Sequence, residues 1–161
     1  VNVHEVIEEI LSFTAPIMKQ REVRVGKALE AGKVVVCGDR ELLKQMMLNL
    51  VLNAMQAMPS TGSLRVATRN VGALPGGALC EGLEIRVQDT GLGIPPENLA
   101  RIFDPFFTTN RNGTGLGLSV VHQIVEKHSG FIQVESEVSV GTTFTITFPC
   151  ARLILGAAQG Q

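Results

Sequence analysis

Leu83-Glu84-Ile85-Arg86-Val87-Gln88-Asp89-Thr90-Gly91-Leu92-Gly93-Ile94 is the stretch on which the fold turns. Leu83, Ile85 and Val87 alternate with Glu84, Arg86 and Gln88, the period-two pattern of a strand with one buried face. Asp89 continues the apolar side, so the register aims a carboxylate at the core just where the chain turns. Gly91 and Gly93 then permit close backbone approach or a positive φ. Two readings of Asp89 fit this pattern. One is an Asx-type turn between strand and helix. The other is a buried acceptor for an exocyclic amine such as that of adenine. A carboxylate there would reject guanine, which presents a carbonyl at the same place, and sites built on such a hydrogen bond discriminate steeply.

Working outward, Leu64, Val66 and Thr68 alternate with Arg65, Ala67 and Arg69, predicting a second half-buried strand, and Gly72 to Gly82 reads as the hairpin loop between the two. Val3 to Lys19 has apolar residues at helical spacing (Val6, Ile7, Ile10, Leu11) with Glu5, Glu8 and Glu9 toward the other side. Val23 and Val25, then Val34-Val35-Val36, read as strands. Asp39 can cap a long helix over Arg40 to Met58, closed by Pro59 and Gly62. A short helix from Pro95 or Pro96 to Phe103, a polar loop from Asp104 to Gly113 and a helix from Leu116 to His128 follow. Ile132 and Val134, then Phe144, Ile146 and Phe148, mark the last two strands. Helices are too few and too unevenly spaced for a doubly wound parallel sheet. The expectation is an α+β, two-layer α/β sandwich: a mixed, mostly antiparallel sheet of about five strands with about three helices on one face.

Composition narrows the function. The chain has 161 residues and 45% hydrophobic content, enough for one domain with one core. Fourteen basic residues face 15 acidic ones, so a nucleic-acid partner finds no electrostatic support. Aromatic content of 4%, with no Trp or Tyr, argues against a base-stacking platform. Cys37, Cys80 and Cys150 are odd in number and far apart; they make no zinc-type pair and suit a reducing compartment. No apolar run approaches the ~20 residues of a membrane span.

Two further patterns carry chemistry. On the long helix, Gln45, Asn49 and Asn53 recur every four residues and share one stripe, with Gln56 beside Asn53. Asparagine is a poor helix-interior residue. The stripe is either solvated at the surface or lines a polar cavity, where an amide oxygen could hold Mg²⁺ alongside phosphates. Asn112-Gly113-Thr114-Gly115-Leu116-Gly117-Leu118-Ser119 runs straight into an amphipathic helix. Its glycines are either loop flexibility or free N–H groups facing an anion at the positive helix end. The Gly-x-Gly-x-x-Gly dinucleotide fingerprint after a strand is absent, and no Gly-Lys-Ser/Thr occurs, which excludes a P-loop.

Taken together and in this order, the motifs resemble the ATP-binding domain of sensor histidine kinases, a family that shares the Bergerat nucleotide fold with gyrase, Hsp90 and MutL. Asn49-Leu50-Val51-Leu52-Asn53-Ala54 resembles the asparagine box and Asp89-Thr90-Gly91-Leu92-Gly93-Ile94-Pro95 the first glycine box. Ile102-Phe103-Asp104-Pro105-Phe106-Phe107-Thr108-Thr109 resembles the phenylalanine box. Gly113-Thr114-Gly115-Leu116-Gly117-Leu118 and Gly141-Thr142-Thr143-Phe144 resemble the remaining glycine boxes. The endings of the asparagine and phenylalanine boxes look most like nitrogen-regulation-type kinases.

The resemblance implies ATP and Mg²⁺ as ligands. It assigns the metal to Asn53 and the adenine amine to Asp89, supported by Thr142. Asn49, Ala57, Gly91, Gly93, Ile94, Thr109, Arg111, Gly113, Thr114, Gly115, Leu116 and Gly117 complete the implied ATP site. Residues 104–112 would be the ATP lid, anchored by Phe103, Phe106 and Phe107. Gln56 departs from the basic residue many relatives carry, and Asn110 from a lysine for which the adjacent Arg111 can substitute. Relatives that hydrolyse ATP have a glutamate where this chain has Asn49; an amide cannot be a general base. No residue is assigned as catalytic, Asn49 being the one candidate, and the implied reaction is transfer of the γ-phosphoryl to a histidine. His4, His122 and His128 do not fit that acceptor. The resemblance divides the chain into a helix over 1–20 leading from a dimerisation domain that is absent here, an ATP-binding domain over 21–149 and a tail over 150–161. It implies a homodimeric, cytoplasmic kinase, membrane-anchored or not, partnered by its own dimerisation domain and a response regulator.

Overall fold

A computed structural model of the chain describes residues 1–109 and 113–152. The described elements are α1 (Val3–Gln20), β1 (Val23–Leu29), α2 (Arg40–Ala57), β2 (Gly62–Val71), β3 (Gly82–Asp89), α3 (Pro96–Leu99), α4 (Gly117–Lys127), β4 (Phe131–Glu137) and β5 (Gly141–Pro149). They build a five-stranded mixed sheet of order β1-β2-β3-β5-β4. β1 and β2 are parallel and the other neighbours antiparallel. A parallel pair needs a crossover, and α2 supplies it.

Alternation decides which face is covered. Leu64, Val66, Leu83, Ile85, Val87, Phe144, Ile146 and Phe148 are buried in one cluster with the inner residues of α1, α2 and α4. Arg65, Arg86 and Gln88 point the other way and are exposed. The result is the two-layer sandwich expected from the sequence. α1 contributes Val6, Ile7, Ile10, Leu11 and Met18 to that same core.

Two helices start differently. Asp39 caps α2, its Oδ1 accepting from Glu41 N at 2.9 Å and Leu42 N at 3.2 Å. A side-chain cap of this kind stabilises a helix by ~1 kcal/mol. The Asp39 N–H in turn donates to Nε2 of His128 at 3.0 Å, while His128 Nδ1 donates to Ile124 O at 2.7 Å. This histidine therefore ties the start of α2 to the end of α4 and is structural. Among the described residues no side chain caps α4.

Two expected elements change. Val34–Val36 is not a strand; only Val35 forms an isolated bridge, with Asn2. Its backbone partners include the chain start, through Val3 N to Val34 O and Val36 N to Val1 O, both 2.9 Å. Three apolar residues between Gly32 and Gly38 are too short a run to hold a place in the sheet. The helix expected from Pro95 or Pro96 to Phe103 ends at Leu99, because the chain tightens into three-residue turns there. Arg101 N bonds Asn98 O at 2.9 Å and Asp104 N bonds Arg101 O at 3.0 Å.

Candidate functional site

The amide stripe of α2 opens onto a cavity of about 620 Å³ between α2, the start of α4 and the Leu92–Asn98 segment. Asn49, Asn53 and Gln56 line it, with apolar walls from Leu52, Ile94 and Leu118. Gln45 does not line it and is exposed, so the stripe divides into a solvated turn and a cavity-facing turn. The Asn49 Nδ2 donates to Gly117 O at 3.3 Å, binding α2 to the first residue of α4. Among the described residues, no buried side-chain polar atom is left without a partner.

Asp89 is only 3% exposed, on the apolar face as its register requires. Its cross-strand partner is Thr142, which lines the cavity. Burial pushes the Asp89 carboxyl above the usual aspartate range, and the backbone N–H groups of Gly91 and Thr142 oppose the shift. The Asx-type contact is present too, since Oδ1 accepts from Gly91 N at 2.9 Å. The two readings of Asp89 are thus compatible: one oxygen shapes the turn of a carboxylate that is also buried beside the cavity.

The segment after Asp89 is fastened at several points. Leu92 N donates to Ala57 O at the end of α2 at 2.8 Å, and Ser139 N donates to Leu92 O at 2.8 Å. Gly91 lies so close to the Ala57 carbonyl that a Cβ would collide with it, which explains the glycine there. Ile94 N donates to Ser136 Oγ at 2.7 Å. Ser136 also meets Thr142 Oγ1 at 2.7 Å and donates to Gly141 O at 3.1 Å. The sequence reading missed Ser136; its signal was the alternation Ile132, Val134, Ser136 along β4, which places it on the covered face.

The opposite end is built from the loop before α4. Gly113, Thr114, Gly115 and Gly117 line the cavity, with Thr108 and Thr109 beside them. Gly115 has φ of +73° and packs against the Phe106 backbone, and Phe106 N donates to its carbonyl at 2.9 Å. Phe103 packs on His122 and Phe144, and Phe107 lies under the Arg101 guanidinium at 4.6 Å. Phe106 does not anchor the loop through its ring, which is 74% exposed; its backbone makes the contact instead.

Of the residues singled out in the sequence, Asn49, Asn53, Ala57, Gly93, Ile94, Thr109, Gly113, Thr114, Gly115, Gly117 and Thr142 line this cavity. Asp89, Gly91 and Leu116 are outside the lining, Asp89 being paired across the ladder with Thr142, which is in it. Asn110 and Arg111 lie outside the described residues. His4 hydrogen-bonds Thr68 Oγ1 at 2.7 Å, and neither residue lines the cavity.

Sheet order, helical layer and a cavity walled by glycines and α2 amides define a sandwich domain of the ATPase type. The chain belongs to the family of histidine kinase-, DNA gyrase B- and HSP90-like ATPases, whose model matches residues 38–152. It is similar to the sensor histidine kinase ZraS of Escherichia coli (strain K12), 38% identical over 149 residues that cover 92% of this chain and 30% of ZraS. The chain thus spans less than a third of that relative's length. The catalytic domain of the histidine kinase ThkA, in a nucleotide-free form, superposes with a TM-score of 0.79 at 29% identity, covering 93% of each chain. A second ThkA structure, in complex with the response regulator protein TrrA, matches 94% of this chain and 41% of that one with a TM-score of 0.76 at 27% identity. Full-length ShkA in complex with AMPPNP matches 94% of this chain and 31% of that one with a TM-score of 0.76 at 25% identity. The fold expected from the sequence, and the kinship with histidine kinase catalytic domains, are both borne out.

Proposed function

We propose that this domain binds Mg·ATP in the α2–α4 cavity and transfers the γ-phosphoryl to a histidine on a separate dimerisation domain, from which it passes to a response regulator. One observation carries the reading. Asn53 on α2, Gly113, Gly115 and Gly117 before and at the start of α4, and Thr142, the ladder partner of the buried Asp89, come from distant parts of the chain and line one cavity. The AMPPNP held by ShkA and the response regulator held by ThkA support the ligand and the partner.

The division of labour follows from the chemistry of each end. Asp89 accepts from the adenine amine, and Ile94 flanks the base. Gly113, Gly115 and Gly117 offer backbone N–H groups to phosphate oxygens at the uncapped start of α4. Asn53 holds Mg²⁺ through its amide oxygen. Among the described residues no cluster of three or more His, Cys, Asp or Glu could hold a metal. That fits a cation whose remaining ligands are phosphates and water. Mg²⁺ would neutralise charge on the phosphates during transfer. Asn49 cannot activate water, and its amide is engaged with Gly117. The domain therefore favours transfer over hydrolysis. No helix among the described residues is long and apolar enough to cross a membrane; a cytoplasmic location and dimerisation of the whole kinase are part of the proposal.

The test mixes the chain with a phosphoacceptor dimerisation domain and Mg·[γ-³²P]ATP. The expected result is acid-labile, base-stable label on the acceptor histidine and none on this chain alone. Substantial steady-state phosphate release by the chain alone would favour an ATPase. Nucleotide binding with no label on the acceptor would leave a nucleotide-gated binding module instead.

A further inference from the structure

We propose that Ser136 is a positioning residue that fixes the Thr142 hydroxyl as a hydrogen-bond acceptor and thereby selects a purine carrying an exocyclic amine. The inference rests on the nucleotide reading above and extends it to a residue outside the cavity lining.

The argument is a count of protons and lone pairs. A serine hydroxyl has one hydrogen and two lone pairs. Three groups surround Ser136 Oγ: Ile94 N at 2.7 Å, Thr142 Oγ1 at 2.7 Å and Gly141 O at 3.1 Å. Ile94 N–H can only donate, so it takes one lone pair. The Gly141 carbonyl can only accept, so it takes the hydrogen. Thr142 must then donate into the second lone pair. This is the one arrangement that makes all three contacts hydrogen bonds.

The consequence falls on Thr142. Its proton is committed to Ser136, so only lone pairs remain to face the cavity. Its ladder partner Asp89 is a carboxylate, which also only accepts when ionised. Between them, Asp89 and Thr142 therefore present two side-chain acceptors and no donor to a base placed against this pair. An amine on the purine finds partners there. A purine with a carbonyl at that position finds none, and an unmatched polar group lowers affinity steeply. Without Ser136, the Thr142 hydroxyl could rotate and donate to that carbonyl, relaxing the discrimination that Asp89 alone would impose. Ser136 also holds Ile94 N, so one hydroxyl joins the loop that flanks the base to the strand that reads it. Substitution is tolerable at this point, because Ser136 is only half-buried and lies on β4, an edge strand.

Calorimetric titration of ADP and of inosine diphosphate, each with Mg²⁺, into the wild type, Ser136→Ala, Ser136→Thr and Asp89→Asn tests this. Ser136→Ala is expected to narrow the preference for ADP over inosine diphosphate by about fivefold or more, the scale of one neutral hydrogen bond. Ser136→Thr, which keeps the hydroxyl on a β-branched side chain suited to a strand, is expected to restore the preference. Equal loss of both nucleotides in Ser136→Ala, or no change in their ratio, overturns the inference, since mere loosening weakens both alike. If Ser136→Ala proves too unstable to titrate, Ser136→Cys decides in its place by the same ratio, its sulfur being a weak donor and acceptor. The two readings fail separately. A wild type that binds no ADP, or an Asp89→Asn variant with undiminished affinity, overturns the site reading and this inference with it. A lost Asp89→Asn affinity beside an unchanged Ser136→Ala ratio overturns the inference alone.

Discussion

The two ends of the cavity are held in different ways. At the base end, side chains and backbone knit the Leu92–Ile94 segment to α2 and to the β4–β5 hairpin through Ala57, Ser139 and Ser136. Asp89 and Thr142 stand there on adjacent central strands. At the phosphate end, the walls are glycines and threonines of a loop, joined to the body by the Phe106–Gly115 backbone bond and the Asn49–Gly117 contact. The contrast between helix starts repeats the theme, since α2 is capped by Asp39 and α4 by no side chain among the described residues. A rigid end can discriminate by hydrogen-bond pattern. An end lined by glycine and threonine backbone suits phosphate oxygens, which accept from N–H groups in many orientations.

The largest expected effect breaks the rigid end. Asp89→Asn should weaken ADP and ATP binding by at least about tenfold, because an amide that keeps its one oxygen on Gly91 N turns an NH2, a donor, toward the adenine amine. Unchanged affinity by calorimetry would mean that the base does not bind beside Asp89. A smaller and differently shaped loss is expected at the other end. Asn53→Ala should reduce ATP affinity in Mg²⁺ to near its value in EDTA while leaving the EDTA value unaltered, since only the metal-dependent part runs through that amide. Equal losses in Mg²⁺ and EDTA would move the metal elsewhere.

The smallest effect concerns stability and has the opposite sign. Burial raises the Asp89 pKa, so the fold prefers the protonated form and the ionised carboxylate is a burden near neutral pH. That burden is complete above the folded-state pKa and gone below the unfolded-state value. Asp89→Asn should therefore melt at a higher temperature than the wild type at pH 7, and the gap should narrow as pH falls from the raised value to the ordinary aspartate value. A lower melting temperature for the variant at pH 7, or a gap indifferent to pH, would show that the backbone donors Gly91 and Thr142 outweigh desolvation.

Legibility in the sequence tracked the range of the interaction. The strand faces around Leu83 and Phe144, the Asp39 cap and the inward register of Asp89 were readable because each is fixed by residues within a turn or two. Val34–Val36 differs from its expected strand because β-branched composition says nothing about what a short run will pair with, and its partners are the chain start and Ala151. Residue type alone points Phe106 to packing, whereas its backbone, at φ of +67°, leaves the ring in solvent.

By itself, then, the sequence determined the layers, the covered face of the sheet and the motifs that identify the family. These follow from hydrophobic period and from residue types whose backbone or capping chemistry is local. Only the tertiary structure decided which polar groups meet. Ser136 reaches Ile94 across 42 positions and Asn49 reaches Gly117 across 68, and neither pairing leaves a local pattern. A hydroxyl's single proton is assigned by all its neighbours at once, so the chemistry of the base end appears only when β4, β5 and the Leu92–Ile94 segment are brought together.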